Sequence, residues 1–114
     1  MPVLQLRTSL SLPDPAALCR VLTATLAALL EKEERWVMVE VEGDRHLTLG
    51  GVAPCALLDL RSIGADPALA ARLSAALCEA LQAQLGIDPE RVFLQVHAPA
   101  GPMFGWNRQT FTEL

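Results

Sequence analysis

The sequence predicts an α+β fold in which two β-α-β units form a four-stranded sheet with two helices on one face. Apolar strand segments alternate with leucine-spaced helical segments, this order occurs twice, and the strand segments carry one wholly apolar face. Parallel strands are joined by a right-handed helical crossover, so two adjacent units place both helices on the same face. We expect a single domain over 1–114, with repeated units at about 2–50 and 51–104 and a short C-terminal segment, 105–114.

The first unit begins with a strand at Val3–Arg7, where apolar and polar residues alternate. The turn-prone Pro13-Asp14-Pro15 precedes a helix. Its leucines recur at helical spacing, at Leu18, Leu22, Leu26, Leu29 and Leu30. The segment Trp36–Val41 is rich in β-branched residues and predicts a second strand, which ends at the turn-forming Glu42-Gly43-Asp44.

The second unit repeats this order. A third strand is predicted at Cys55–Arg61, and Asp66-Pro67 then supplies a helix N-cap followed by proline at the first helical position. The helix leucines are Leu69, Leu73, Leu77, Leu81 and Leu85. Gly86 follows where a helix end commonly needs a left-handed residue, and Val92–His97 predicts the closing strand.

Alternation along the second and fourth strands predicts two different sheet faces. The face toward the helices is wholly apolar, with Val37, Val39, Val41, Leu94 and Val96. The opposite face mixes large apolar and polar side chains, namely Trp36, Met38, Glu40, Phe93, Gln95 and His97. Because an exposed patch of this kind promotes association, we predict an oligomer. The alternative is a half-solvated sheet with scattered apolar residues.

Composition and charge exclude several classes of function. With 114 residues, 52% of them hydrophobic, the chain can fill a core. The net charge of −4 and the absence of a Lys or Arg cluster argue against a nucleic-acid partner. The longest apolar-rich region, Ala16–Leu30, is interrupted by polar residues and is too short to span a membrane. The start of the chain lacks a signal-peptide pattern, so we expect a cytoplasmic location, with secretion without a signal left open.

Cysteine and histidine spacing indicates no metal site. The three cysteines, Cys19, Cys55 and Cys78, are widely spaced and odd in number, which is typical of reduced, buried thiols. His46 and His97 lie far apart and lack the cysteine or carboxylate spacing of a zinc site.

Pro2 is the first candidate for catalysis. Removal of Met1 would turn it into an N-terminal secondary amine. A chain amine titrates near about 7.7–8.0, and burial or a neighbouring cation lowers this pKa, so the amine becomes a neutral base. The alternative is a proline tolerated at the start of a strand because its missing N–H harms nothing there.

Motifs along nearly the whole chain resemble one known family. The most specific is Pro54–Gly64, which has the pattern Pro-Cys-Ala-x-x-x-Leu-x-Ser-Ile-Gly. The others are Pro2, Lys32, Gly50–Leu57, Gly105-Trp106-Asn107 and Thr110-Phe111. Together they resemble the macrophage migration inhibitory factor family of the tautomerase superfamily.

The resemblance implies a homotrimeric tautomerase-like barrel, in which three subunits turn their bare sheet faces toward a central channel. It also implies keto-enol tautomerisation of phenylpyruvate-like aromatic 2-oxo acids between adjacent subunits, with no cofactor. It leaves open an alternative, a cytokine-like or partner-binding signalling protein with a vestigial site. No receptor-binding surface is readable from the residues.

The resemblance also assigns roles near the amine. Pro2 matches the catalytic base of the family, and Lys32 matches the lysine that binds the substrate carboxylate and disfavours protonation of the amine. Without the family, Lys32 would be interpreted as a surface lysine at a helix end. Ile63 matches a position whose backbone contacts substrate, and Ala53 stands where relatives commonly carry an acidic residue.

The remaining matched residues would line the substrate pocket. Phe93 and Gln95 match positions contributed by the neighbouring subunit, where relatives commonly place Tyr and Asn. Trp106 and Phe104 match an apolar lid, and Trp36 matches a further aromatic position of the pocket. For the three lid and pocket aromatics, packing in a core or an interface is the alternative role.

Overall fold

The computed structural model describes residues 1–111 and shows a four-stranded sheet, two α-helices and a small hairpin. In chain order the elements are β1 (Pro2–Thr8), α1 (Pro15–Leu30), β2 (Met38–Glu42), β3 (Ala56–Ser62), α2 (Pro67–Leu85), β4 (Val92–His97), β5 (Gly105–Trp106) and β6 (Gln109–Thr110). The predicted α+β fold is confirmed.

The sheet consists of two parallel pairs that meet in the middle. Its strand order is β2-β1-β3-β4, with β1 parallel to β2 and β3 parallel to β4. The central strands β1 and β3 are antiparallel, and their ladder runs from Pro2 opposite Ser62 to Thr8 opposite Ala56. Each predicted β-α-β unit therefore contributes one parallel pair.

Leucines from both helices and both central strands form the core on one face of the sheet. The fully buried members are Leu4, Leu6, Leu22, Leu26, Leu58, Leu60, Leu73, Leu77 and Leu81. Since burying one such side chain contributes about 1.5–3 kcal/mol, this layer is the main source of stability. The predicted leucine spacing is confirmed.

Both ends of α2 follow the predicted signals, and α1 has an N-cap at Asp14 that was not predicted. The Asp14 carboxylate accepts from the Ala17 N–H at 3.0 Å, and the Asp66 carboxylate accepts from the Leu69 N–H at 2.8 Å. Gly86 ends α2 in the left-handed conformation at φ 70°. Within residues 1–111, neither helix combines the length and the hydropathy needed to cross a membrane.

The other sheet face is bare, and strand pairing arranges its side chains in rows. The rows are Met38-Val3-Arg61-His97, Glu40-Gln5-Asp59-Gln95 and Glu42-Arg7-Leu57-Phe93. Met38 and Phe93 are 65% and 57% exposed, so the predicted mixture of large apolar and polar side chains is present.

The prediction that Trp36 belongs to this bare face is wrong. Glu34–Trp36 form a 3-10 turn, and β2 begins only at Met38. The Trp36 N–H donates to the Glu33 carbonyl at 3.1 Å, and the Val37 N–H donates to the Glu34 carbonyl at 3.0 Å. This local closure precedes the strand and turns the indole toward the end of the sheet.

Arg91 holds the long connection between β2 and β3 in place. Its guanidinium donates to the carbonyl oxygens of Pro54 at 2.9 Å and Leu49 at 3.1 Å, and also to that of Val52. Three backbone carbonyls are satisfied by one planar donor group, which fixes the chain just before β3 begins.

All three cysteines carry free thiols. The predicted burial is confirmed for Cys55, which is 3% exposed. It is wrong for Cys19 and Cys78, which are only half-buried. Burial raises the pKa of the Cys78 thiol, against a smaller effect of its hydrogen bond with Ser74. In the described range 1–111, no three His, Cys, Asp or Glu side chains gather where a metal ion would bind.

Candidate active site

Pro2 is the first residue of a central strand and is less than 2% exposed. It lies opposite Ser62, which is also buried. A proline is tolerated at this first strand position because no ladder hydrogen bond from its nitrogen is required there. The nitrogen that Met1 removal would free is therefore held at the end of the sheet, beside the cavity.

A cavity of about 340 Å³ opens at this end of the sheet. It is lined by Met1, Pro2, Val3, Arg35, Trp36, Val37, Met38, Phe104, Gly105 and Trp106. These residues come from the start of β1, the turn before β2 with the first residue of β2, and the segment after β4. The walls are mainly apolar and aromatic, and the volume lies in the range of small-molecule sites.

Four of the five aromatic residues of the chain gather at this cavity. The Trp36 and Trp106 rings meet edge to face, with centroids 4.9 Å apart and planes at 76°. Phe111 stacks on Trp106 at 6.3 Å and 15°, and it contacts Phe104 at 5.8 Å. Mutual packing of this kind keeps the aromatic wall in place.

The C-terminal hairpin positions this wall. Its turn residues Asn107 and Arg108 are both left-handed, at φ 49° and 68°, which is typical of a two-residue hairpin turn. The Phe111 N–H donates to the Phe104 carbonyl at 3.1 Å. Gly101 lies directly against the Phe111 carbonyl oxygen, and there is no room for a Cβ there.

Burial and charge act together on the amino group at the start of the chain. Its pKa, carried here by Met1, is lowered first by burial and second by the positive charge of Lys32. Lys32 follows α1, where Glu31 is left-handed at φ 53°, and its own N–H donates to the Ala27 carbonyl at 3.0 Å. The connection after α1 thus brings a cation within electrostatic range of the amine.

Arg35 is a second cation at the cavity. Its Nε donates to Glu33 Oε2 at 2.9 Å, and its guanidinium carbon lies 4.7 Å from the centre of the Trp36 ring. The guanidinium is thus held between a carboxylate and an aromatic face.

The structure brings four of the sequence-predicted site residues together. Pro2, Trp36, Phe104 and Trp106 all line the cavity. Ile63 is adjacent, because it follows Ser62, the pairing partner of Pro2, although its side chain does not line the cavity. Lys32 is also outside the lining and acts on the amine through its charge.

Phe93 and Gln95 lie away from the cavity of their own chain. Phe93 is level with Leu57 and Arg7 in the sheet, five residues along β1 from Pro2. At about 3.3 Å per residue, this is roughly 16 Å along the strands. Phe93 lines a separate cavity of about 120 Å³ instead. That smaller cavity is formed with Leu47, Thr48, Leu49, Cys55, Ala56 and Leu57.

Three residues of the site were missed by sequence reasoning. Met38 and Arg35 line the cavity, and Phe111 supports its aromatic wall. Arg35 stands in the charged run Glu33-Glu34-Arg35, which is typical of a solvated surface. Its position next to Trp36 was the available signal, because arginine commonly stacks on aromatic rings.

The fold and the cavity together define the class of protein. A mixed sheet made of two β-α-β units, with a cavity at the first residue of a central strand, is a tautomerase fold. The profile of the family described as "Macrophage migration inhibitory factor (MIF)" matches residues 1–112. The chain belongs to this family, which confirms the resemblance seen in its motifs.

Individual relatives agree with this assignment. Macrophage migration inhibitory factor of Meriones unguiculatus is 34% identical over 99 residues, covering 85% of this chain and 86% of that protein. The homolog of Trichinella spiralis is 32% identical over 114 residues, covering 97% of this chain and 100% of the relative. A crystal structure of the homologue from Prochlorococcus marinus has a TM-score of 0.90 at 28% identity, covering 96% and 98% of the two chains.

Substitution of Gly101 tests how the aromatic wall is held. In Gly101→Ala the new Cβ overlaps the Phe111 carbonyl, so the hairpin must shift and the Trp36–Trp106 contact must change. We expect a shifted tryptophan emission spectrum and a loss of roughly 1–3 kcal/mol in the free energy of unfolding. Ala100→Ser, an exposed neighbour, serves as the control. Unchanged emission in Gly101→Ala would show that Gly101 does not position the wall.

Proposed function

We propose that the protein is a cofactor-independent keto-enol tautomerase for phenylpyruvate-like aromatic 2-oxo acids, with the amine of Pro2 as general base. One observation carries the proposal. The start of β1 is buried at an aromatic cavity where burial and Lys32 lower the pKa of the chain amine. A lowered pKa increases the neutral fraction of the amine, and a neutral amine beside an aromatic wall is suited to moving a proton on an aromatic substrate.

The chemistry needs only one base. The neutral amine removes a proton from C3 of the keto acid, and the electrons move into the carbonyl to give an enolate. The protonated amine then donates the same proton to the enolate oxygen, which yields the enol and regenerates the base. Proton transfer by a positioned group of this kind is typically worth about 10²–10⁴-fold in rate.

Lys32 and the aromatic wall have separate roles in the proposal. Lys32 pairs with the substrate carboxylate and, together with the larger effect of burial, lowers the pKa of the amine. Trp36, Phe104 and Trp106 hold the substrate ring, while Ile63 offers backbone groups beside Pro2. Met1 lines the cavity and carries the amine in its present position, so the proposal requires that it be removed.

A homotrimer would complete the site. The bare sheet face carries the exposed apolar Met38 and Phe93, which favours its contact with further subunits. Phe93 and Gln95 lie too far from Pro2 of their own chain, so in the proposal the neighbouring subunit supplies them. Phe93 lacks the hydroxyl of a tyrosine, so Gln95 is the side chain of this pair that can donate a hydrogen bond to substrate.

The family name also favours a second candidate function. Relatives are named macrophage migration inhibitory factor, which supports a cytokine-like or partner-binding role with a vestigial cavity. Cytoplasmic location belongs to the enzyme proposal, and export without a signal belongs to the signalling alternative. A retained Met1 together with no turnover would favour the signalling role.

The first test removes the base. Pro2→Gly replaces a constrained secondary amine with a flexible primary one, so kcat for phenylpyruvate should fall by about 10²-fold or more. Enol absorbance measures turnover, intact mass reports whether Met1 is absent, and circular dichroism reports the fold. Pro67→Gly, at the start of α2, is the matched control and should keep full turnover. Wild-type turnover in Pro2→Gly would refute the assignment of the base.

A pH profile tests the role of Lys32. The base must be neutral, so kcat/KM should rise with pH through the amine pKa and level off above it. Since burial and Lys32 lower this pKa, the inflection should lie below the ordinary value of about 8. Lys32→Ala removes one of the two causes, so its inflection should move to higher pH.

The same variant separates charge pairing from proton transfer. Lys32→Ala should raise KM for phenylpyruvate by about tenfold, because a charge-assisted hydrogen bond is lost, and should spare the uncharged methyl ester. Equal losses on acid and ester would argue against carboxylate pairing, and an unmoved inflection would argue against the electrostatic role.

Mixed oligomers test whether two subunits build one site. If Pro2 works with Gln95 of a neighbour, refolding Pro2→Gly together with Gln95→Leu should restore about a quarter of the wild-type sites, as random assembly in a symmetric ring requires. A mixture of Pro2→Gly and Lys32→Ala is the control, because both residues belong to one subunit and no gain is expected. Turnover equal to the mean of the separate variants in both mixtures would contradict a shared site.

A further inference from the structure

We propose that Arg35 binds a second acidic group at the outer end of the cavity, so that the site selects aromatic 2-oxo acids carrying a carboxylate on the ring. This inference rests on the proposed tautomerase function and names its substrate class more narrowly. Among the described residues, 1–111, Arg35 is the only charged side chain that lines the cavity.

The register of the sheet puts Arg35 beyond Pro2. Val3 pairs with Met38, so the start of β1 is level with the start of β2. Arg35 belongs to the 3-10 turn Glu34–Trp36, which comes before β2 begins at Met38. It therefore lies past the end of the sheet. Met1, which carries the amine, and Arg35 thus line one cavity, with the indole of Trp36 beside the guanidinium.

The guanidinium is oriented yet retains binding capacity. Glu33 accepts from its Nε at 2.9 Å, and Trp36 supports one face at 4.7 Å. In the part of the chain that the structure describes, its two terminal nitrogens donate to no protein group. This free edge of the fork matches the bidentate geometry of a carboxylate.

A ligand with two acidic ends fits the arrangement of charge. Its 2-oxo acid end would lie at the amine and within the field of Lys32, and its ring would lie against Trp36 and Trp106. A carboxylate across the ring would then extend toward Arg35. The Arg35 side chain is 68% exposed and already pairs with Glu33, so we expect an effect of about fivefold, the size of a favourable exposed ion pair.

Direct binding gives a test that does not need turnover. Both tryptophans of the chain line the cavity, so quenching of their emission reports occupancy. The probes are 3-(4-carboxyphenyl)propionate and 3-phenylpropionate, which differ by one carboxylate and cannot tautomerise. The wild type should bind the dicarboxylate about fivefold more tightly than Arg35→Gln does, with 3-phenylpropionate affinity nearly unchanged. Arg72→Gln, on an exposed position of α2, controls for the loss of one positive charge.

A second pair of variants tests the role of Glu33. Glu33→Gln releases the guanidinium from its competitor and should strengthen dicarboxylate binding by about twofold. Glu34→Gln removes the same charge one residue away and serves as the control. Stronger dicarboxylate binding in Glu33→Gln alone supports the proposal. Equal effects of the two variants would show that binding responds only to the net charge of the region, which would overturn it.

Turnover separates this inference from the proposed function. With 4-carboxyphenylpyruvate and phenylpyruvate, Arg35→Gln should lower kcat/KM for the first substrate alone, mainly through KM. Turnover of both substrates with no dependence on Arg35 overturns the inference and leaves the tautomerase standing. Arg35-dependent dicarboxylate binding without turnover of either substrate overturns the tautomerase and supports the anion site.

Discussion

The antiparallel pairing of β1 with β3 is the constraint on which the rest of the structure depends. Its ladder begins with Pro2 opposite Ser62, so the first residue of a central strand is held in place and buried. A terminal residue is ordinarily among the least ordered parts of a domain. Here the ladder and the leucine layer beneath it order the start of the chain. Without that order, neither burial nor Lys32 could act on the amine.

Much of the fold could be predicted because its signals are local and periodic. The leucine spacing predicted both helices, with the turn-prone Pro13-Asp14-Pro15 before the first and the caps Asp66 and Gly86 around the second. The turn at Glu34–Trp36 and the β5–β6 hairpin were not predicted. Trp36 was assigned to a strand because aromatic residues are common in strands. Short closures of this kind depend on single hydrogen bonds and on left-handed residues, which leave no periodic pattern.

The site was predicted less completely than the fold, for two physical reasons. The aromatic wall of Trp36, Phe104 and Trp106 was suggested by the family resemblance, because periodicity does not bring distant turns together. Arg35 was missed because its charged neighbours favour a solvated surface, whereas its contact with Trp36 exists only in three dimensions. Phe93 and Gln95 are exposed on the bare face, and their predicted role depends on a neighbouring subunit, which the sequence pattern of one chain does not describe.

Two cavities at opposite ends of the β1–β3 pair occupy equivalent positions but differ in chemistry. β1 and β3 are both seven residues long with the same order of burial, and the ladder pairs the start of each with the end of the other. The cavity of Phe93 beside Ala56 is therefore the twin of the one at Pro2. At Ala56 the nitrogen is tied into a peptide bond with Cys55, and its lone pair is delocalised and not basic. The fold is duplicated, but removal of Met1 would free a basic nitrogen only at Pro2, so the proposed base has no counterpart in the second unit.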